Sequence, residues 1–549
     1  MMADGRRSSQ PLSTRLAPAL VCAAVLAVYL PILFNGFVNW DDGPVLLSNP
    51  HLAALEERGW GWMLTSPYNS TYQPLVWLVY GIVLTLFGLS APVLHGLSLA
   101  CHLAMSLALY GTALALFASA RGRAGSRPAD EAWAAAAAAV FFAVHPLQVE
   151  AVAMAAGLAD VMASLFGLLA LRSYLLSRGE RMARAWLWFL ASAASRWHAA
   201  AMPVLLLMLD AWVLERLPAD PRRWLEPGPR RVLVEKLPFL ALSAVLVAVH
   251  GWAKASDAEG VAVAFRPAET LAALVFYPSK LAWPGALLPY YVFWGDRNPL
   301  DLGPGLCALA VLAAAAAPFL LRSWPLGIAL ASYAVSIAPT LGLYSNGMIF
   351  GHDRHAYFAC LGFFLLAGAG FLKAWRRAGP GVRSAFAAGL VGTALLLALQ
   401  SREQALAWRD PVSFWERVLE CDPREHEAHL RLIDALFRQG RWRDAASWAA
   451  KLAPLDPDRG RTLLGQAYAN LALDLWRRGD SAGAVKTARY SLEWDGSLAR
   501  SHSNLGLMLL ELGKREEAAT ELHAACALDP KDEACAKASR LAIDSRSAD

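Results

Sequence analysis

From residue 16 to residue 400 the chain is built of long apolar blocks separated by short polar or basic stretches. Blocks at 16–34, 91–118, 132–147, 153–175, 185–196, 198–214, 233–251, 303–321, 324–343, 357–375 and 384–400 are read as helices that cross a hydrocarbon core ~30 Å thick, which predicts eleven spans. Segments 74–89 and 269–284 are apolar but short or Pro-flanked, and they are expected to lie at or dip into the outer interface, a full crossing being the alternative. The first block, preceded by Arg6, Arg7 and Arg15, has the basic and apolar regions of a secretion signal. The many spans behind it favour an uncleaved first helix.

After residue 400 the pattern changes to amphipathic helices, and composition changes with it. Of the 95 charged residues among 549, 46 fall in the last 149, leaving 49 for the first 400. Over the whole chain 56% of residues are hydrophobic and 17% charged, with a mean hydropathy of +0.36. Soluble globular chains run near one half and one quarter. The expected organisation is a membrane domain over 1–400 and a soluble domain over 401–549. The net charge of +5 does not point to nucleic acid, because Lys and Arg cluster beside the spans, where they orient the chain in the bilayer.

The segments expected on the inner side carry 20 Lys and Arg and the outer segments seven. An odd number of spans starting inside then places the loops 35–73, 252–302 and 344–356, together with the soluble domain, on the extracytoplasmic side. Cysteine is sparse and forms no C-x-x-C pair, so neither a metal framework nor a disulfide scaffold is indicated.

Within the soluble domain Asp-Pro recurs at Asp422-Pro423, Asp456-Pro457 and Asp529-Pro530, with Asp495-Gly496 in the equivalent place, at spacings of 34, 39 and 34. Gly440, Gly479 and Gly513 each precede an Ala by five, at Ala445, Ala484 and Ala518. A 34-residue period of this kind predicts tetratricopeptide repeats, about 424–457, 458–496 and 497–530, stacked as an α-solenoid. In such a repeat Gly ends the first helix, Ala admits close packing of the second, and Pro stops it. A leading half-repeat (408–423) and a trailing helix (531–544) are expected to cap the stack. The array suits a protein- or peptide-binding scaffold, with a purely structural appendage as the alternative.

Polar groups at membrane depth are costly unless used, so they are functional candidates. Asp41 and Asp42, just beyond the first span, form a pair of adjacent carboxylates, with Asp42 the first choice for the catalytic group and Asp41 close behind. Each disfavours the ionisation of the other, which suits a general base for a hydroxyl acceptor; a solvated turn beside Gly43 is the alternative. His95 and His102 share a helix face. His145 and Glu150 fall in a short outer hairpin, and Asp160 lies a turn or two into the next span. Arg196 and His198 mark another outer bend, and His352-Asp353-Arg354-His355 starts a late span. An Arg at the interface matches a phosphate through its planar fork, with the adjacent Asp353 expected to orient the Arg354 guanidinium, an interface anchor being the alternative. No nucleophile elbow, P-loop or dinucleotide fingerprint is present.

In order along the chain, F-V-N-W-D-D (37–42), Gln73-Pro74-Leu75, His95 to His102, H-P-L-Q-V-E-A-V-A (145–153), G-L-A-D (157–160), H-D-R-H-A-Y-F (352–358) and Trp408-Arg409-Asp410 resemble the transmembrane and tetratricopeptide-repeat O-mannosyltransferase-like proteins of the GT-C glycosyltransferase superfamily, together with their bacterial relatives. The resemblance implies an all-α, GT-C-like multi-span enzyme that passes a sugar from a polyprenyl-phosphate sugar to a hydroxyl on the outer face, inverting the anomeric centre. It implies a base or acceptor-positioning role for Asp41 and Asp42. The family's late-span pattern falls on Asp353, Arg354 and Tyr357, with Arg354 facing the lipid phosphate and Arg196 the next candidate. His102, His145, Glu150 and Asp160 are expected to support the site. Two positions depart from the family pattern: a Lys-Glu pair is replaced by Arg196-Trp197-His198, and Leu158 stands where an Arg is expected.

The leading expectation is therefore a membrane glycosyltransferase whose partners are a polyprenyl-phosphate sugar, membrane lipid and an acceptor protein met by the repeats. The second is a catalytically inactive membrane scaffold for a cell-envelope assembly. A transporter is disfavoured, since the hydropathy shows no inverted repeat. The sequence names no cofactor; a divalent cation is left open, and no protein metal motif is present.

Overall fold

The structure is a computed structural model that describes residues 12–119, 127–257, 264–265, 267–285, 287–288, 291–292, 302–341, 344–345 and 349–531. Two compact units divide between Asp410 and Pro411. Both are helical; the strands among the described residues are two or three residues long and pair as two antiparallel ribbons, Ala264–Phe265 with Tyr344–Ser345 and Tyr291–Val292 with Ile349–Gly351.

The first unit contains the helices α1 (Leu12–Tyr29), α2 (Pro74–Phe87), α3 (Ala91–Ser119), α4 (Pro128–Ala143), α5 (Leu158–Leu176), α6 (Met182–Ser195), α7 (Leu237–Asp257), α8 (Pro267–Ala282), α9 (Leu302–Leu320), α10 (Trp324–Ile337), α11 (Leu361–Arg377) and α12 (Pro380–Ala407), joined by shorter turns. Five segments are long and apolar enough to cross a membrane: Arg15–Phe34, Ala91–Ser119, Ala155–Leu176, Pro227–Lys254 and Pro380–Ala407. Counting two bent pairs as single spans gives seven: Pro128–Ala143 with Pro146–Ala153, bent by 57°, and Asp353–Ala359 with Leu361–Arg377, bent by 53°. These helices fit a multi-pass membrane protein. The expected blocks at 185–196 and 324–343 are 14-residue helices, α6 and α10, each about 21 Å long at ~1.5 Å per residue, short of a ~30 Å core. Hydropathy alone merges such helices with the irregular turns that extend them.

The bundle is held by close approach of small residues, the packing available where lipid gives no hydrophobic drive between helices. In α4, Ala132, Ala134, Ala135, Ala136, Ala138 and Ala139 are buried, and the helix packs on α1, α3 and α11. At Gly368 of α11 a methyl group would meet Ala138 Cβ at 2.9 Å and Ala134 O at 3.0 Å, so the α4–α11 contact depends on glycine there. One end of the bundle buries charge. Lys236 Nζ lies 2.7 Å from Asp210 Oδ2 and donates to Tyr174 Oη at 2.6 Å. Arg216 bridges Asp210 at 2.9 Å and Glu235 at 2.7 Å. Removing two charges from water is costly, and such a pair persists because each is hydrogen-bonded.

The second unit runs α13 (Pro411–Cys421), α14 (His426–Arg438), α15 (Trp442–Leu452), α16 (Pro457–Arg477), α17 (Ser481–Trp494), α18 (Ala499–Glu511) and α19 (Arg515–Leu528), each packed on the next. Gly440, Gly479 and Gly513 follow α14, α16 and α18 with φ of 69°, 87° and 78°, the left-handed conformation that lets a helix end without a Cβ clash. Ala445, Ala484 and Ala518 are fully buried on the second helix of each pair. The spacing of 39 has a plain origin: α16 has 21 residues where α14 and α18 have 13. Pro457 opens α16, with the Asp456 side chain accepting from Arg459 N, so this Asp-Pro starts a helix rather than only stopping one. Cys526, near the end of α19, is disulfide-bonded, which the Cys spacing had not indicated. The expected trailing helix lies, beyond Lys531, outside the described residues, as do parts of the loops 252–302 and 344–356.

Candidate functional site

The loop after α1 is fixed at both ends before any functional side chain is placed. Pro31 sits in the 3₁₀ turn Leu30–Phe34, after which Asn35 is extended. Asn35 Nδ2 donates to Trp408 O at 3.3 Å, and Gly36 N donates to Arg409 O at 2.8 Å. Trp408-Arg409 is thus part of the membrane unit and anchors the loop. Asp42 closes it: Oδ2 accepts from Val38 N at 3.0 Å and Oδ1 from Ala156 N at 2.8 Å. The donor at Ala156 is delivered by the turn Ala155–Gly157, where a methyl on Gly157 would stand 2.4 Å from Ala151 O. Only glycine permits that approach.

Five charged side chains from four distant stretches of chain then meet. Arg354, in the turn Asp353–His355, places Nη2 2.8 Å from Asp41 Oδ2 and Nη1 2.7 Å from Glu150 Oε1. Its backbone N–H donates to the other Glu150 oxygen at 3.2 Å, and its Nε lies 3.8 Å from Asp160 Oδ2. Arg196 holds Asp160 with both fork atoms, each at 3.2 Å, and donates Nη1 to Gln73 Oε1 at 2.8 Å. His352 Nδ1 lies 3.4 Å from Glu150, and His198 Nδ1 lies 3.9 Å from Asp160. Asp160 sits in the first turn of α5, where the helix dipole favours a carboxylate.

Of the residues expected to act, the structure joins Asp41, Glu150, Asp160, Arg196 and Arg354 in one cluster, and gives the others supporting positions. Asp42 is 1% exposed with both oxygens on backbone amides, whereas the Asp41 side chain is 29% exposed. The preference between the two therefore reverses: Asp41 presents a carboxylate and Asp42 holds the loop. Asp353 does not orient the Arg354 guanidinium, as the sequence reading expects; it accepts from Tyr291 Oη at 3.1 Å, and the guanidinium is held by Asp41 and Glu150. His102 Nδ1 bonds Tyr357 Oη at 2.6 Å and Nε2 contacts Ala143 O at 3.2 Å. His145 caps the turn Pro146–Gln148 through Leu147 N and reaches Leu281 O. His102, Tyr357 and His145 thus tie neighbouring segments of the bundle together. Gln73 stands in the sequence within the Gln73-Pro74-Leu75 motif with no role assigned to it, and its contact with Arg196 depends on the fold.

Burial pushes the Asp41 carboxyl up, but the nearby Arg354, His352 and Arg196 outweigh it and hold Asp41 below the usual carboxylate range. Burial pushes Asp42 up to about 7, against the pull of the Val38 and Ala156 amides. At neutral pH Asp41 is an ionised, partly exposed carboxylate, placed to accept a hydrogen bond from a hydroxyl and so to position it. Among the described residues no group of three His, Cys, Asp or Glu side chains is set to hold a metal ion.

No protein-family profile matches the chain. It is 30% identical over 178 residues to protein O-mannosyl-transferase TMTC1 of Homo sapiens, covering 31% of this chain and 19% of that protein. It is 30% identical over 219 residues to protein O-mannosyl-transferase TMTC2 of Mus musculus and to its counterpart in Homo sapiens, covering in each case 37% of this chain and 25% of the relative. The chain thus spans a fifth to a quarter of the length of the curated relatives it matches. Across about a third of its own length it is related to the TMTC proteins, protein O-mannosyl-transferases by name.

Proposed function

We propose that the chain is a membrane glycosyltransferase that moves a mannose-like sugar from a polyprenyl-phosphate donor to a hydroxyl acceptor, a protein, on the extracytoplasmic face. The observation that carries this reading is the Asp41–Arg354 contact at 2.8 Å, within a cluster that also holds Glu150, Asp160 and Arg196. Asp41 accepts the hydroxyl proton or positions the hydroxyl as it attacks the anomeric carbon, and the bond from that carbon to the phosphate oxygen breaks. Arg354 and Arg196 lie beside the carboxylates, where a guanidinium edge meets the leaving phosphate. Similarity to proteins named O-mannosyl-transferases supports this reading.

The same proposal places the loop after α1 and the second unit outside, on the inner-to-outer split of basic residues, and takes the bundle as GT-C-like. Its paired helices α14–α15, α16–α17 and α18–α19 are tetratricopeptide repeats that select the acceptor. The disulfide-bonded Cys526 supports an oxidising compartment for that unit.

A second reading rests on how closely Asp41, Glu150, Asp160 and Gln73 engage the forks of Arg354 and Arg196. In it the cluster is a structural clamp in an inactive scaffold. Purified full chain with radiolabelled polyprenyl-phosphate mannose and acceptor protein decides between them. Asp41→Asn is expected to lower transfer about 10²–10⁴-fold in a chain that still folds and inserts; transfer equal to the parent removes the catalytic reading.

A further inference from the structure

A cavity of about 470 Å³ lies between α3, α5, the segment 202–214, α10 and α11. Its walls are mostly Leu, Ala, Met, Phe and Trp side chains of these elements. On α10 the lining runs from Pro325 to Ser336, eleven residues or about 16 Å at ~1.5 Å per residue, which is half of a ~30 Å hydrocarbon core and so the depth of one leaflet. Ser336 and Phe358, the latter four residues beyond Arg354, both line the cavity. Past Phe358, toward His198, there is space of only about 10 Å³, too small for a hydrocarbon chain.

The other end is polar and opens where helices terminate. Arg178, just after α5, and Glu215, just after the π-turn Leu209–Val213, both line it. Both have left-handed backbone, with φ of 52° and 54°, which is costly for side chains other than glycine and is retained where surrounding structure demands it. Arg181 and Arg184, at the start of α6, and Arg322, between α9 and α10, fall in segments that the positive-inside rule assigns to the inner face. Glu215 at the rim disfavours a bare anion, so recognition rests chiefly on an apolar chain with a phosphate at Arg178.

We infer that this cavity binds one acyl chain of an inner-leaflet phospholipid, whose phosphate rests on Arg178, in a site separate from the carboxylate–guanidinium cluster. Because Phe358, four residues beyond Arg354, borders the cavity, a donor whose phosphate lies at Arg354 is the competing occupant, and the two lipids of the test distinguish them. The inference does not depend on the glycosyl-transfer reading.

The test uses delipidated full chain in detergent, incubated with palmitoyl-oleoyl phosphatidylethanolamine or with undecaprenyl phosphate, and native mass spectrometry of what remains bound. The intact chain is expected to retain the phospholipid. Filling the cavity with Ala369→Phe or Leu365→Trp should lower retention about tenfold, the effect of losing roughly two buried methylenes, and Arg178→Gln should lower it less. Retention unchanged in both filled variants, or displacement of the phospholipid by equimolar undecaprenyl phosphate, overturns the assignment. Should the filled variants not fold, a phospholipid with a diazirine at its chain end is photolysed on the wild-type chain. Labelling of α5 or α11 beside Phe358 supports the site, and labelling confined to outward-facing helix surfaces overturns it.

Discussion

Arg354 is 7% exposed and lies among three carboxylates, so its removal is first a matter of stability. Arg354→Ala leaves Asp41 and Glu150 facing each other without a cation, and breaking a buried ion pair from one side costs about 3–5 kcal/mol. Arg354→Lys keeps the charge but loses the fork that spans two carboxylates. The expected order in a denaturation series in detergent is parent, then Lys, then Ala; an Ala variant as stable as the parent refutes the clamp. Asp42 governs pH dependence. Its carboxyl titrates at about 7 in the folded loop against an ordinary 3.8, so between those values the folded chain binds the extra proton. Stability from this group is full below about 4 and falls as pH rises through about 7. Melting temperatures across that window should show the fall in the parent and a flatter profile in Asp42→Asn; equal slopes dismiss the assignment.

Among the elements, the segment 209–236 depends on its buried charges. The π-turn Leu209–Val213 carries Asp210 inward, and Lys236 just before α7 meets it, with Tyr174 of α5 between them. Lys236→Ala is expected to cost about 3 kcal/mol, the low end of the range for breaking a buried pair, because Arg216 still holds Asp210 at 2.9 Å. Chemical denaturation should report the loss directly, and a change below about 0.5 kcal/mol, the scale of a surface substitution, would mean that Arg216 alone secures the segment. Apolar periodicity located these helices but not this pairing, since Lys236 reads in sequence as a basic flank of an apolar run.

For the whole molecule the boundary between the two compact units, after Asp410, is where the proposed roles can be separated by experiment. Trp408 and Arg409 accept hydrogen bonds from the loop that carries Asp41, so a cut before Trp408 damages the site, whereas a cut after Asp410 follows the boundary between compact units. Residues 1–410 are expected to retain hydrolysis of a polyprenyl-phosphate sugar within about threefold, while transfer to protein falls more than about tenfold, a coupling of at least ~1.4 kcal/mol. Equal loss of both activities in a folded, inserted chain would tie the second unit to bond making.

The sequence alone determined the helical class, the change of character near residue 400 and the places where the paired helices end. Those features are local: apolar length sets a span, and glycine at positive φ ends a helix at Gly440, Gly479 and Gly513. It also named Asp41, Glu150, Asp160, Arg196 and Arg354, because charge beside apolar spans is conspicuous. Only the tertiary structure decided how they are used. Asp41 and Asp42 are neighbours with nearly the same local sequence, yet one is 29% exposed against Arg354 and the other is sealed beneath Val38 and Ala156. Nor does spacing reveal that Asp353 turns to Tyr291 while Glu150, some two hundred residues earlier, takes the neighbouring guanidinium. Burial and ion pairing are properties of approach in space, and residues 41, 150, 160, 196 and 354 come together only when the helices that carry them have packed.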